Sequence, residues 1–353
     1  MHMADALLSP AVGGTMWAVS GGLIAYSAKK VREEADDRKI PLMGVLGAFI
    51  FAAQMINFTI PGTGSSGHLA GGMILSILLG PYAAFLVLAS VLTVQALFFA
   101  DGGLLALGCN IANMGFFTCF VAYPLIYKKI SGRGDKKRLL IAATIAGVAG
   151  LQLGAFGVVL ETAASGISEL PFKTFVLLML PIHLAIGLVE GLVTSGVVSF
   201  VAAARPEILA AASDRTPLKV SVKKVVFGLA AAAVLAGVSL SWFASANPDG
   251  LEWAMLKTSG KAEIQSGEKL HGLLGALQEK TAFLPDYGFK KPGAAAEAGI
   301  NGPNAEAEAE PAAKSAWPAV DAGTSVAGVV GGVLTLLLAA LIGFGLKRRK
   351  IAA

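Results

Sequence analysis

Charge is scarce in this chain: only 14% of its 353 residues are Asp, Glu, Lys or Arg, while 55% are hydrophobic. Mean hydropathy is +0.69. That composition excludes an ordinary soluble domain and places the chain among polytopic membrane proteins. The formal charge of +5 is no sign of a nucleic-acid partner, because the basic residues are confined to particular loops. Cysteine is nearly absent. Cys109 and Cys119 both fall in an apolar stretch, which excludes a disulfide framework and points to packing rather than a metal pair. A basic n-region and a cleavage site after the first apolar stretch are also missing, so the amino terminus is expected to be retained. No internal repeat of the inverted-repeat kind is visible. The Gly-Thr-Gly-Ser-Ser-Gly run at 62–67 resembles a phosphate cradle, but no Gly-Lys-Ser/Thr follows and the nucleotide reading falls.

What is present is a series of apolar runs. A spanning helix needs about 20 mostly apolar residues. Such runs lie near 11–28, 41–60, 69–80, 82–100, 104–127, 139–163, 174–203, 224–245 and 324–346. The third is too short to cross unaided. It is either a half-helix after a Gly-rich loop or one bent segment shared with the fourth at Gly80-Pro81. The expected class is an all-α polytopic membrane protein: a bundle of about seven helices, then two helices that bracket an extracytoplasmic segment.

Basic residues gather around Lys29–Lys39, Lys128–Arg138, Arg205–Lys224 and Lys347–Lys350, which together hold 20 of the 28 Lys and Arg. The positive-inside rule assigns all four groups to the cytoplasm. Nine spans satisfy it, with the amino terminus outside, the carboxyl terminus inside, and the chain a multi-pass protein of the cell membrane. The expected units are a membrane domain 1–204, a cytoplasmic linker 205–223 and a second part 224–353. The outside segment 246–323 begins with a stretch able to fold. Its stretch 292–320 is rich in Ala, Glu, Pro and Gly, and is expected to be a flexible tether.

Met1-His2 then becomes the pair of interest. A terminal amine, the Met1-His2 amide nitrogen and His2 Nδ1 lie along one short path. Binding all three closes a five-membered ring fused to a six-membered one, which favours a planar nitrogen array. A fourth donor completes a square plane, a geometry of Ni(II) or Cu(II) rather than tetrahedral Zn(II). His68 ends the loop Ile60-Pro-Gly-Thr-Gly-Ser-Ser-Gly-His68, on the same expected side, and is the candidate for that donor. The competing readings are a chance histidine beside the initiator and a loop histidine bonded to backbone. Asp5, Asn57, Thr63, Ser65 and Ser66 are the groups available to orient the imidazoles, each also serving as a cap or turn former.

His183 and Glu190 lie seven residues apart on one helical face, open both to a structural pairing and to a metal route. Gln54, Gln95, Asn110 and Asn113 read as interhelical hydrogen bonders. The many small residues, among them Gly13, Gly14, Gly21, Gly22, Gly44 and Gly47, allow close backbone approach or a smooth face for another membrane subunit.

The chain resembles a known family at several of these places. Met1-His2 with Asp5, Gly64-Ser-Ser-Gly-His-Leu-Ala-Gly-Gly72, Leu79-Gly-Pro81, Asp101-Gly-Gly-Leu104, Leu107-Gly-Cys-Asn110, His183-Leu-Ala-Ile-Gly187 and Glu190-Gly191 are similar to the CbiM/NikM family. These are substrate-capturing S components of energy-coupling factor (ECF) transporters for nickel and cobalt. Pro248-Asp-Gly-Leu-Glu252 resembles the signature of the PDGLE domain, and Phe283-Leu-Pro-Asp-Tyr287 its closing motif. The resemblance implies a fusion of the S component with its small NikN-like accessory component, in systems that also serve cobalamin biosynthesis. It implies metal ligation by the amine and amide of the first two residues, by His2 and by His68. Many relatives begin Met-His-Ile-Pro-Asp-Gly, whereas this chain has Met3-Ala-Asp-Ala6.

The expected function is therefore capture of divalent nickel, or cobalt, for ATP-driven uptake. The chain is not itself an enzyme and needs no cofactor. Its expected partners are a transmembrane coupling (T) subunit, separate cytoplasmic ATPase subunits and the lipid bilayer. Two rivals are a stand-alone secondary metal permease and an intramembrane hydrolase using Ser66 or Ser65 with His183 as base.

Overall fold

The computed structural model describes residues 2–34, 36–132, 136–168, 170–260, 269–290 and 317–347. The chain is mostly helical. Its first part comprises α1 (Pro10–Glu34), α2 (Lys39–Gln54), α3 (Gly72–Leu79), α4 (Pro81–Phe99), α5 (Leu107–Ser131), α6 (Lys136–Ser165) and α7 (Phe172–Ala204). A short helix, α8 (Pro206–Asp214), lies within the linker. The second part holds α9 (Lys223–Val238), α10 (Gly250–Ser259), α11 (Lys269–Thr281) and α12 (Ala322–Leu346). Among the described residues, α4, α5, most of α6, α7 and α12 are the five helices long and apolar enough to cross a membrane, while α2 is apolar but shorter.

Two apolar runs fold differently from their expected spans, and a third takes one of its two expected forms. The run at 41–60 is helical only to Gln54, and Phe58–Ile60 instead pairs antiparallel with Ser65–Gly67. Gly62 and Gly64 take positive φ values of 76° and 74° and turn the chain between the two strands, a conformation glycine adopts without strain. Among the described residues this hairpin is the one sheet in an otherwise helical fold, and His68 follows it directly. The run at 69–80 is a separate half-helix, α3, with all its residues buried. Gly80, at φ 81° and ψ 163°, breaks it from α4, which starts with Pro81 in the first turn where a missing N–H costs nothing. The run at 224–245 stops as an α-helix at Val238 and continues as a 3-10 turn over Leu240–Phe243.

Small residues set the helix spacings. The Ser20 hydroxyl on α1 donates to the Gly108 carbonyl on α5 at 2.6 Å, and a side chain at Gly108 would meet the Trp17 backbone. Gly44 and Gly47 on α2 lie against Leu336, Thr335 and Ala339 of α12, so the second part packs along the first by close backbone approach. Gln95 donates to Gln54 at 2.8 Å and Gln54 to the Ala70 carbonyl at 3.0 Å, the interhelical bonding expected of these amides. Cys109 and Cys119 are free and buried.

The basic loops meet at one end. The Arg38 guanidinium donates to the Leu218 carbonyl at 3.1 Å, Lys128 donates to the Ser213 carbonyl at 2.9 Å, and Lys347 pairs with Asp37 at 2.7 Å. Most of the expected tether at 292–320 lies outside the described residues, as does Met1. At its described end the Ala319 amide donates to the Trp242 carbonyl at 2.8 Å.

Candidate metal centre

Three elements converge at the end of the bundle away from the basic loops: the segment before α1, the hairpin, and the loop from Asp101 to Ala106. The Met3 amide donates to Asn110 Oδ1 at 2.8 Å, and the Met3 carbonyl accepts from Gly103 N at 2.9 Å. Gly102 sits at φ 79°, where a Cβ would lie 2.8 Å from Asn110 Nδ2 and 3.3 Å from His2 Cβ. The amino-terminal segment is thus docked against the loop, with no room for a larger residue at position 102.

This docking sets the His2 imidazole parallel to that of His68, with ring centres 5.1 Å apart and planes inclined by 16°. Burial depresses both imidazoles below the ordinary 6.5, His2 to about 3 and His68 to about 4, so both are neutral at physiological pH. His68 Nδ1 donates to the Leu69 carbonyl at 3.0 Å, which leaves its lone pair on Nε2. His2 Nδ1 lies 3.2 Å from Asp101 Oδ1, and His2 Nε2 is buried without a hydrogen-bond partner. Tyr287, from the second part, donates its phenolic proton to Asp101 Oδ2. Burial pushes the Asp101 carboxyl up from its ordinary range.

A small cavity adjoins this pair and is lined by His68, Ala70, Met114, His183, Ile186 and Asp249. Asp249 caps α10. Its Oδ1 accepts from Leu251 N at 2.8 Å and Glu252 N at 2.9 Å, while the Glu252 carboxylate accepts from Asp249 N, a complete capping box. Glu190 is wholly engaged in holding the chain after His68: its carboxylate accepts from Ala70 N at 2.8 Å and Gly71 N at 3.0 Å. Among the described residues, no three His, Cys, Asp or Glu stand together as a ready metal cage.

His2 and His68 are therefore brought together. Most of the groups expected to orient them bond to backbone instead. Asp5 Oδ1 accepts from Ala106 N at 3.0 Å, beside the start of α5. Asn57 Oδ1 is buried without a hydrogen-bond partner, and Thr63 Oγ1 donates to the Ile60 carbonyl at 2.8 Å within the hairpin turn. Ser66 Oγ donates to the Asn247 carbonyl at 2.8 Å and Ser65 Oγ to the Ser66 carbonyl at 3.1 Å. His183 Nδ1 donates instead to the Met179 carbonyl at 2.7 Å, so no serine–histidine pair of a hydrolase is assembled. Sequence reading missed Asp101, Asp249 and Tyr287 as members of this site. Their signal was available: acidic and phenolic groups in loops expected on the side of His2.

A family model for a cobalt uptake substrate-specific transmembrane region, CbiM, matches residues 2–208. The chain belongs to the CbiM family. A PDGLE domain follows at 223–348, so a CbiM region and a PDGLE region are fused in one chain. A chain of Archaeoglobus fulgidus whose name assigns it to fused nickel transport (NikMN) is 41% identical over 209 residues, covering 59% of this chain and 68% of its own. The cobalt transport protein CbiM of Sorangium cellulosum is 32% identical over 216 residues, covering 59% and 94%. A solved structure of a truncated transition metal transporter superposes with a TM-score of 0.52 at 31% identity, covering 58% of this chain and 99% of that one. The CbiM chain is thus a membrane component of a metal transporter, and not an enzyme.

Proposed function

We propose that this CbiM–PDGLE chain is the substrate-capturing component of an ATP-driven energy-coupling factor transporter that takes up divalent nickel, with cobalt as the second candidate. The observation that carries the reading is the buried, neutral, parallel pair His2 and His68. In this reading the amine of Met1, the Met1-His2 amide nitrogen, His2 Nδ1 and His68 Nε2 form a square plane, which favours Ni(II). His2 Nδ1 faces Asp101. The absence of a side-chain cage among the described residues accords with donors drawn from the backbone.

The meeting of the basic loops at the end away from His2 supports an amino terminus facing outward, since basic loops stay in the cytoplasm. ATP hydrolysis belongs to separate cytoplasmic ATPase subunits, linked through a transmembrane T subunit. Gly14, Gly21 and Gly22 on α1 offer that subunit a smooth face, because a Cβ at any of them would meet nothing within 4 Å.

Calorimetric titration with Ni(II) tests the capture site. Replacing His68 by Ala removes a direct donor and is expected to weaken binding by more than the ~10–100-fold typical of lost outer-shell partners. Wild-type affinity in His68→Ala would overturn the reading. Liposomes holding this chain alone are expected to move no nickel. Transport there without ATPase subunits would favour the stand-alone permease.

A further inference from the structure

We propose that α11 is an interfacial helix: Leu270, Leu273 and Leu277 enter the headgroup–acyl boundary of the phospholipid leaflet on the His2 side. The second part of the chain is thereby tied to that membrane surface. This goes beyond the capture reading and stands without it.

With 13 residues, α11 falls short of the about 20 that a spanning helix needs. Its residues sort onto three faces. His271, Leu274 and Gln278, spaced i, i+3 and i+7, meet the protein. His271 Nε2 donates to the Leu8 carbonyl at 2.9 Å, and Gln278 Nε2 donates to the carbonyls of Ala96 at 2.9 Å and Gly102 at 2.7 Å. Lys269, Gly272, Glu279 and Lys280 form an exposed polar face suited to water. The third face is apolar and spaced in the same way, yet it is not buried. Leu270 is 37% exposed, Leu277 49% and Leu273 70%. Water is a poor neighbour for three leucines in a row along one helix, each costing about 1.5–3 kcal/mol of forgone burial when fully exposed.

The surroundings point to lipid as the occupant. Ala96 lies in the last turn of α4, a helix long and apolar enough to cross a membrane, so Gln278 holds α11 at the level where that helix ends. Exposed aromatics occur near the same end. Phe283, 45% exposed just past α11, packs on Phe98 with ring centres 5.6 Å apart. Trp17, also partly exposed, donates its indole N–H to the Leu104 carbonyl at 2.9 Å. An apolar ring with a satisfied polar edge is the form that gathers at a membrane–water interface. Lys269 and Lys280 stand at the two ends of the leucine face, where long basic side chains reach phosphate headgroups while their stems cover apolar surface.

Fluorescence quenching of the whole chain in phospholipid nanodiscs tests the placement. Leu273→Cys and Leu277→Cys each carry an environment-sensitive fluorophore, and Glu279→Cys carries it on the polar face. Cys109 and Cys119 are buried, and the unsubstituted chain sets the labelling background. At 273 and 277, lipid bearing a nitroxide near its headgroup is expected to quench by about twofold or more over aqueous iodide, as fits burial of about 5–10 Å. At 279 iodide is expected to be the stronger quencher. Both leucine positions lie outside the core, and a wild-type thermal midpoint confirms that each labelled chain is folded. Iodide quenching at 273 and 277 as strong as at 279 would overturn the proposal. Protection from both quenchers would overturn it too, since a second copy or another protein would then cover this face.

Discussion

The two parts of this chain bring opposite chemistry to one chamber. The CbiM part supplies imidazoles, the buried pair His2 and His68 and the deeper His183. The PDGLE part supplies oxygen groups, the Tyr287 phenol on Asp101 and the Asp249 carboxylate beside His68. The CbiM part is held by apolar burial and small-residue packing, whereas the PDGLE part reaches the chamber through a helix cap and main-chain contacts such as Ser66 N to the Pro248 carbonyl at 2.8 Å. The difference teaches that the groups around the imidazoles come from both regions, Asp101 from the first and Tyr287 and Asp249 from the second. A change in the second part is then expected to alter metal binding without removing a donor.

The sharpest way to break that comparison is at Asp101. Asp101→Ala takes the partner from His2 Nδ1 and leaves the Tyr287 hydroxyl without its acceptor. Nickel affinity is expected to rise by about tenfold or less, the worth of one hydrogen bond, because the metal claims the nitrogen that Asp101 faces. Tyr287→Phe, in the other part of the chain, is expected to move it in the same direction by less. A Tyr287→Phe chain with wild-type affinity would separate the two parts functionally. Calorimetry measures both.

Gly250→Ala tests the seating of the PDGLE part. The added methyl would press on Ile182 and His183 at 2.7 and 3.1 Å. Overpacking of this kind costs about 1–3 kcal/mol, read as a lower thermal midpoint. No change in midpoint would mean that α10 is not seated on α7.

How much of this arrangement can be read from the chain alone follows the same division. The helical bundle, the half-helix at 72–79 and the candidacy of His2 and His68 are local matters of hydropathy, glycine content and chain position. The hairpin is hidden inside an apolar run, because Phe58-Thr-Ile60 fits a helix or a strand equally until Gly62 and Gly64 turn it. The oxygen groups are hidden by distance along the chain. Tyr287 meets Asp101 across 186 residues, and no spacing rule spans such a gap. Asp5 misled for the opposite reason: three residues from His2, it turns away to the Ala106 amide.

Protonation gives a smaller effect with a definite sign. Burial lowers the His2 and His68 pKa values to about 3 and about 4, so the unfolded chain takes up their protons first as pH falls below 6.5. Stability is complete above that value and is lost progressively between about 6.5 and 3–4 on acidification. The thermal midpoint is expected to drop from pH 7 to pH 5, and to drop less in His2→Ala or His68→Ala. Nickel affinity above pH 6.5 should instead follow the amine, whose ordinary pKa is about 7.7–8.0, and the amide proton released with it.

The most direct measurement concerns the free chain end. Calorimetric nickel titration of the whole protein can compare the chain starting at Met1 with one carrying a single extra residue before it. The amine then moves out of the fused rings while His2, His68 and their surroundings keep their sequence. Loss of the high-affinity equivalent is the expected result. Unchanged affinity in the extended chain would contradict the amino-terminal chelate.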